Sequence, residues 1–453
     1  MNMEHVDAIV LGLGPGGEEV AGRLAEAGLH VVGIDHALVG GECPYWGCVP
    51  SKMMIRAANL LAEARRIPGM AGSAEVQPDW APVAARIRAE ATDNWDDTVA
   101  VERFEGKGGR FVRGHGRLTG RDTVTVGDRT FRASRALVVA TGGQPSIPPI
   151  AGLAETPYWT NHQAIEAEQL PRSMIVLGGG AIGAEVAQVF ARFGVDITIV
   201  EAAPLLLPLE EPEVGPVLAE VLSREGLTVI TGVGAERVQH DEGRFAVHLA
   251  DGRLLEAERL LVATGRRVDL AAIGAAALGV VPSAKALPVD EHLRVTDGVW
   301  AVGDVTGKGA FTHVAMYQAG IAVADILGTP HSPAAYDALP RVTFTDPEVA
   351  SVGLSTQAAV DAGIAVATGR VETSSTARGW IHKAGNEGFI HLVADRRRGV
   401  LVGATVIGPN AGEVLGLLTL AIHAAVPISA LRTMVYAYPT FHRGVEDALR
   451  DLP

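Results

Sequence analysis

Cysteine is what this chain has least of: two in 453 residues. That count excludes a disulfide-stapled scaffold, which needs several pairs, and a cysteine-rich metal centre, for which no further thiolate exists. Positive charge is also short. Lys and Arg total 38 against 52 Asp and Glu, a net charge of −14, so neither nucleic acid nor an anionic membrane surface is expected as a partner. No long uninterrupted apolar run is present. The nearest approach, residues 414–431, is broken by Thr419, His423, Pro427 and Ser429 and reads as a buried or interface helix. No Arg-rich leader or signal-peptide pattern precedes the first strand-like segment, so a cytoplasmic protein is expected. Low-complexity tails and repeat arrays are missing as well.

The two cysteines are not scattered. Cys43 and Cys48 fall in one short segment, Gly40-Gly41-Glu42-Cys43-Pro44-Tyr45-Trp46-Gly47-Cys48-Val49-Pro50-Ser51-Lys52, ahead of an apolar helical pattern. A pair this close can close a small disulfide loop, and a helix N-terminus favours a thiolate. Two unpaired buried thiols or half a metal site are the alternatives. The second wants His or Cys partners at ligand spacing, so no metal is expected.

The segment Val6-Asp7-Ala8-Ile9-Val10-Leu11 reads as a buried strand. It runs into a G-x-G-x-x-G turn of Gly12, Gly14 and Gly17, then a helix over 18–27 and a second strand ending in Asp35. Glycines permit the tight turn and close approach to a pyrophosphate. The helix N-terminus supplies amide donors, and the acid accepts from a ribose hydroxyl. The pattern recurs. Met174-Ile175-Val176-Leu177 leads to Gly178, Gly180 and Gly183, a helix over 184–193 follows, and a strand over 196–200 ends at Glu201. Two such units imply two nucleotides, a flavin dinucleotide and a nicotinamide dinucleotide. Glu201, followed by Ala202, Ala203 and Pro204, suits the free 2′-hydroxyl of NADH. NADPH is disfavoured, because a 2′-phosphate would be repelled there. Glycine, 54 of 453 residues, is well above the usual ~7%, as turns against phosphates require.

With these motifs in order, the chain resembles the pyridine nucleotide-disulfide oxidoreductases, the family of lipoamide dehydrogenase, glutathione reductase and mercuric reductase. Ala140-Thr141-Gly142, Ala263-Thr264-Gly265-Arg266, Ala301-Val302-Gly303-Asp304 and residues 342–350 carry the likeness further. The resemblance implies an α/β fold of two Rossmann-like dinucleotide-binding domains plus a C-terminal α+β dimerisation domain. FAD would bind residues 1–149 and 268–338. The nicotinamide nucleotide would bind residues 150–267, and residues 339–453 would build a homodimer. An insert at roughly 70–135 is expected to hold a helical stretch over 80–104 and strands over 110–131.

By the same resemblance, NADH reduces the flavin, which reduces a Cys43–Cys48 disulfide. Cys48 is the sulfur beside the flavin and Cys43 the outer thiol that meets a small-molecule substrate. Lys52 lies by the isoalloxazine ring, where its ammonium stabilises negative charge, and pairs with Glu185. Gly41, Thr141, Gly142, Gly265, Gly303 and Asp304 belong to the cofactor sites, with Asp304 on the ribityl side of FAD.

The acceptor end departs from the family. Its disulfide reductases end in His-Pro-Thr-x-x-Glu, the His acting as acid and base for the outer thiol. Here Tyr438-Pro439-Thr440-Phe441-His442-Arg443 puts Tyr438 at the His position and Arg443 at the Glu position. A phenol, with a pKa near ~10, is a poor base at neutrality but a hydrogen-bond donor. Glu42 replaces a usual Thr, and Pro44, Tyr45 and Trp46 are bulkier than usual. Mercuric reductase also lacks the His but needs a further C-terminal cysteine pair, which this chain does not have. A small disulfide, a quinone-type acceptor, or a redox- or NADH-sensing role with little turnover stay open.

Overall fold

The computed structural model describes residues 3–453. They divide into two compact units, one of residues 3–51, 85–146 and 265–335, the other of residues 52–84, 147–264 and 336–453.

The first unit is organised by the strand Met3–Leu11, which ends in a continuous apolar run whose Ala8, Ile9 and Val10 are fully buried. Such a run needs cover on both faces, the signature of a parallel sheet. It pairs in parallel with Val31–Asp35 on one side and Arg129–Val139 on the other. Arg110–Arg113 and Val299–Ala301 extend the sheet outward in parallel, and Arg294–Thr296 closes that edge antiparallel. Thr123–Val126 folds back on Arg129–Val139 as an antiparallel arm. Helix Pro15–Glu26 covers one face, packing Val20, Ala21 and Leu24 with Ala319, Ala322 and Val323 of helix Thr312–Leu327. Leu270, Leu278 and Leu287 cover the other face over Ile9 and Leu137.

The second unit repeats the parallel theme. Its four-stranded sheet runs Thr228–Thr231, Asp196–Glu201, Ser173–Leu177, Arg259–Val262, all parallel, with helix Ala181–Arg192 after the Ser173–Leu177 strand. A three-stranded antiparallel sheet over residues 235–257 packs Val238, Phe245 and Val247 into the same core. The C-terminal part is a five-stranded antiparallel sheet in the order Pro340–Thr343, Glu348–Gly353, Val400–Gly408, Phe389–Asp395, Val366–Glu372. Helices Ala411–His423 and Gly444–Asp451 bury Leu415, Leu418, Val445 and Leu449 against it. This is the expected mixed α/β class.

Two expected helices are broken. Over 80–104 the chain forms short helices Ala81–Arg86 and Thr98–Gly106, separated by a π-turn Ile87–Ala91 and by Asp93, Asn94 and Trp95 at φ of 46–57°. Buried Thr92 donates its hydroxyl to Ile87 O at 3.1 Å, a local bond that competes with the helical ladder. Over 414–431 the helix stops at His423, Ala425 adopts φ 46°, and helix Ile428–Thr433 follows Pro427, whose nitrogen cannot continue the ladder.

One face of helix Ala181–Arg192 holds the segment after Thr343. Glu185 Oε1 accepts from Phe344 N at 2.8 Å, and Gln188 Oε1 accepts from Asp346 N at 2.8 Å. Arg192, its side chain 2% exposed, donates to Glu225 Oε1 at 2.6 Å, Asp346 Oδ2 at 2.7 Å and Asn59 Oδ1 at 2.6 Å. Removing a buried partner leaves charges uncompensated. Arg192→Leu is therefore expected to cost about 3 kcal/mol, Arg66 still facing Asp346 at 2.7 Å. The calorimetric melting midpoint should fall by roughly 5–10 °C. An unchanged midpoint would show that the network contributes no net stability.

Candidate functional site

The first glycine turn is set by backbone contact. A Cβ on Gly12 (φ +94°) would lie 2.4 Å from Ala140 O, and one on Gly17 would lie 2.0 Å from Gly12 O. Gly14 differs: its φ of −66° and ψ of −178° suit any residue, and a Cβ there would meet nothing within 4 Å. The turn thus opens at Gly14, where the N-terminus of helix Pro15–Glu26 points its amides outward. Asp35, at the end of Val31–Asp35, reaches back to the turn. Its Oδ2 accepts from Leu13 N at 2.6 Å and its Oδ1 from Ala37 N at 2.9 Å.

The cysteine segment is tied to this turn. Gly40 N donates to Leu13 O at 2.7 Å. Gly41, at φ +67°, approaches so closely that a Cβ would lie 2.7 Å from Gly14 Cα. Asp97 Oδ2 accepts from Val39 N at 2.7 Å and Arg113 Nη2 at 2.5 Å, bracing the loop from outside. Glu42–Tyr45 then forms a short helical turn, and a new helix, Cys48–Arg65, begins at the second cysteine. Both cysteines are thiols, Cys43 half-buried and Cys48 exposed. Cys48 Sγ lies 3.4 Å from Thr312 Oγ1. The hydrogen bond from Cys48, followed by burial, pushes the Cys43 thiol well above the ordinary cysteine range.

Two further expected segments join the same unit. Thr141 Oγ1 is buried with no hydrogen-bond partner among the described residues, and Gly142 adopts φ +63°. Gly303, at φ +82°, is pinned by Gln318: Gly303 N donates to Gln318 Oε1 at 2.7 Å, and Gln318 Nε2 donates to Thr306 Oγ1 at 3.1 Å. Burial raises the Asp304 carboxyl above its ordinary range, against the opposing pull of Arg266. Arg266 Nε lies 3.5 Å from Asp304 Oδ2, its Nη1 3.4 Å from Glu42 Oε2, and its Nη2 donates to Gly143 O. Arg266 follows Gly265 (φ +109°) and aligns Glu42, Gly143 and Asp304. These features fit a flavin dinucleotide: an open helix N-terminus, an acid at the end of the second strand clasping the turn, and an orphaned buried hydroxyl.

The second unit repeats the clasp in the same register. Glu201 Oε2 accepts from Gly179 N at 2.6 Å and its Oε1 from Ala203 N at 2.7 Å, as Asp35 does from Leu13 and Ala37. A Cβ on Gly183 would lie 2.0 Å from Gly178 O, while one on Gly180 would meet nothing within 4 Å. Lys52 Nζ pairs with Glu185 Oε2 at 2.9 Å and stands 4.5 Å over the Phe344 ring. Lys52 is one turn beyond Cys48 along helix Cys48–Arg65.

At the C-terminus, the Tyr438–Pro439 bond is cis and Tyr438 is 69% exposed. The Arg443 guanidinium lies 5.4 Å from the Tyr438 ring centre and pairs with Glu446 at 3.1 Å and Asp447 at 3.7 Å. His442 turns toward Tyr436, ring centres 6.2 Å apart.

Arg266, Gln318, Thr312 and Asp97 were not among the sequence candidates. Arg266 had a signal, its place after Thr264-Gly265; the others carry no local pattern.

The family described as pyridine nucleotide-disulphide oxidoreductase matches residues 6–319, and its dimerisation domain matches residues 339–449. The chain belongs to this family. A dihydrolipoyl dehydrogenase of Chlorobaculum tepidum is 34% identical, over 98% of this chain and 96% of that one. A mercuric reductase of Bacillus cereus is 31% identical, over 98% and 71%. Among solved structures, the Cu(II) complex of the HOCl-induced flavoprotein disulfide reductase RclA from Escherichia coli aligns with a TM-score of 0.86, 25% identity and 99% coverage of both chains. As a member, the chain is an FAD-dependent pyridine nucleotide-disulfide oxidoreductase, and the matched dimerisation domain indicates the homodimer typical of the family. Among the described residues, no helix is long and apolar enough to cross a membrane.

The two kinds of glycine separate experimentally. Gly14→Ala is expected to fold with an unchanged apoprotein midpoint but to hold FAD at least about tenfold more weakly, because only the phosphate approach is lost. Gly17→Ala should fail to fold or melt far lower. Flavin titration of deflavinated protein reads the difference. Full affinity in Gly14→Ala would remove the pyrophosphate from this turn.

Proposed function

We propose that the protein uses NADH to reduce a Cys43–Cys48 disulfide and that the resulting thiols reduce Cu(II) rather than a lipoamide- or glutathione-type disulfide. The observation that carries this reading is the Tyr438–Arg443 pair, 5.4 Å apart, where disulfide reductases of the family hold His and Glu. Thiol–disulfide exchange needs a proton moved at the outer sulfur. A thiophilic metal ion displaces the thiol proton to solvent as the sulfur binds it, so no acid–base need be placed at the outer sulfur. The RclA structures described as Cu(II) complexes support this choice of acceptor.

Bound FAD supplies the two-electron relay between the nicotinamide and the disulfide. The protein's own residues do the rest. Glu201, held by Gly179 and Ala203, offers its remaining lone pairs to a ribose diol and repels a 2′-phosphate, hence NADH. Lys52, paired with Glu185, places a cation one turn from Cys48 and favours its thiolate. Cys43, its thiol raised above the ordinary cysteine range by the hydrogen bond from Cys48 and by burial, is the outer thiol that meets the acceptor. The sum balances: NADH and the disulfide, with one proton, give NAD⁺ and two thiols. The two thiols then reduce two Cu(II) to two Cu(I), release two protons and re-form the S–S bond.

Anaerobic NADH oxidation with Cu(II), oxidised lipoamide, glutathione disulfide and a quinone in parallel tests the reading. Cu(II) should be turned over fastest and lost in Cys43→Ser; faster turnover of lipoamide would overturn it. Cys43→Ser should also retain a Cys48 thiolate and its long-wavelength charge-transfer absorbance, and Cys48→Ser should not. Glu201→Arg is expected to move the NADH-to-NADPH ratio of flavin reduction rates at least about tenfold toward NADPH. A wild-type preference for NADPH would refute the assignment.

Tyr438→His alone should add little disulfide reductase activity, because Arg443 disfavours an imidazolium beside it. Tyr438→His with Arg443→Glu should raise lipoamide turnover by roughly 10²-fold, the scale of a restored general acid–base. Equal rates in the single and double variants would show that position 443 does not couple to position 438.

A further inference from the structure

Two histidines and an aspartate far apart in the sequence meet in the first unit, outside the cofactor segments. His292, Asp325 and His331 each present one ligand atom, all within 4.8 Å of one another. We propose that they form a binding site for a divalent transition ion of the imidazole-preferring kind, Zn(II) or Cu(II).

The hydrogen bonds assign the ring nitrogens. His331 Nδ1 lies 3.1 Å from Thr329 O, and a carbonyl only accepts, so Nδ1 carries the proton and Nε2 offers its lone pair. Nε2 lies 3.0 Å from His292 Nδ1. Two imidazole nitrogens on one metal at about 2.0–2.1 Å are themselves separated by about 2.9–3.3 Å, so this pair already has the spacing of two ligands. On binding, His292 changes tautomer: Nδ1 takes the metal and the proton moves to Nε2, 3.7 Å from Glu291 Oε1. Asp325 Oδ1 is 3.8 Å from His331 Nε2 and is the third member of a two-histidine, one-carboxylate set.

Each ligand has outer support of the kind metal sites use. Thr329 O holds one imidazole and Glu291 faces the other. Arg294 and Trp300 hold the carboxylate: Oδ2 accepts from Arg294 Nε at 2.6 Å and Trp300 Nε1 at 2.8 Å, and Oδ1 from Arg294 Nη2 at 2.7 Å. Oδ1 therefore retains a lone pair for a metal. The histidine backbones are fixed as well. Asp290 Oδ1 accepts from His292 N and Arg294 N, both at 2.8 Å, Leu293 at φ +65° buries its side chain, and Ala334 N donates to Glu291 O at 2.7 Å. The Arg294 charge opposes a cation, so the site is expected to be exchangeable. Three protein ligands leave room for water.

The test uses FAD-loaded Cys43→Ser/Cys48→Ser protein, which removes the thiols as competing ligands. Zn(II) calorimetry and Cu(II) electron paramagnetic resonance should each report one equivalent, the copper spectrum showing coupling to two imidazole nitrogens. His292→Ala and His331→Ala should each weaken binding at least tenfold and leave one coupled nitrogen, with flavin absorbance unchanged as the folding control. Asp325 is a poor position to substitute because it also holds Arg294 and Trp300. Affinity unchanged in both histidine variants, or copper without nitrogen coupling, overturns the site. Binding of only one of the two ions restricts it to that metal.

Discussion

Backbone touching backbone at glycine is the constraint on which the rest depends. Gly12 lies under Ala140 O and Gly17 over Gly12 O, at separations that leave no volume for a methyl group. This contact brings helix Pro15–Glu26 down onto the sheet and aims its first amides at one point. Because Gly41 in turn presses on Gly14 Cα, the cysteine segment inherits its position from the same turn. A redox pair carried on a loop would be imprecise by itself. Here its register is set through glycine contact, the Gly40–Leu13 hydrogen bond and the Asp97 brace.

The second constraint is the acid clasp, and its repetition is informative. Asp35 and Glu201 each bridge the amide after the first turn glycine and the amide two residues beyond the acid. The carboxylate that the motif assigns to a ribose thus also shapes the glycine turn it closes on. An acid-to-amide change at either position would disturb both functions together, and a loss of nucleotide affinity there is not by itself evidence of ribose contact. The longer Glu side chain makes the same two bonds as Asp because each clasp needs only one carboxylate in reach of two amides.

Much of this was legible in the sequence, for a physical reason: glycine turns, terminal acids and apolar strands are local signals, each encoded within about 25 residues. The parallel sheets follow from buried strands that alternate with helices. What was not legible is non-local. Gln318 pins Gly303 from a helix that begins nine residues later, and Thr312 meets Cys48 across 264 positions. The helical stretch over 80–104 is present, but apolar periodicity does not register the break within it, where Thr92 bonds back to Ile87 O and three successive residues take positive φ. His292, Asp325 and His331 escaped for the same reason, since no ligand spacing links them along the chain.

The acceptor end is best understood as a matched pair of changes rather than two separate losses. A His beside a Glu is stabilised as imidazolium, which is what an acid–base at a thiol requires. A His beside Arg443 would be driven toward the neutral form by like charge. A tyrosine has no such conflict. Its ring offers the guanidinium a π face, at the 5.4 Å observed. Glu446 and Asp447, in the first turn of helix Gly444–Asp451, compensate the Arg443 charge. Arginine at 443 therefore makes sense only once the imidazole is gone, and tyrosine at 438 is the aromatic residue that tolerates it while keeping a donor at the end of the ring. The electron-input half follows the family closely because hydride and flavin geometry leave little freedom. The output half diverges because its only fixed requirement is a reduced thiol, which many acceptors can use.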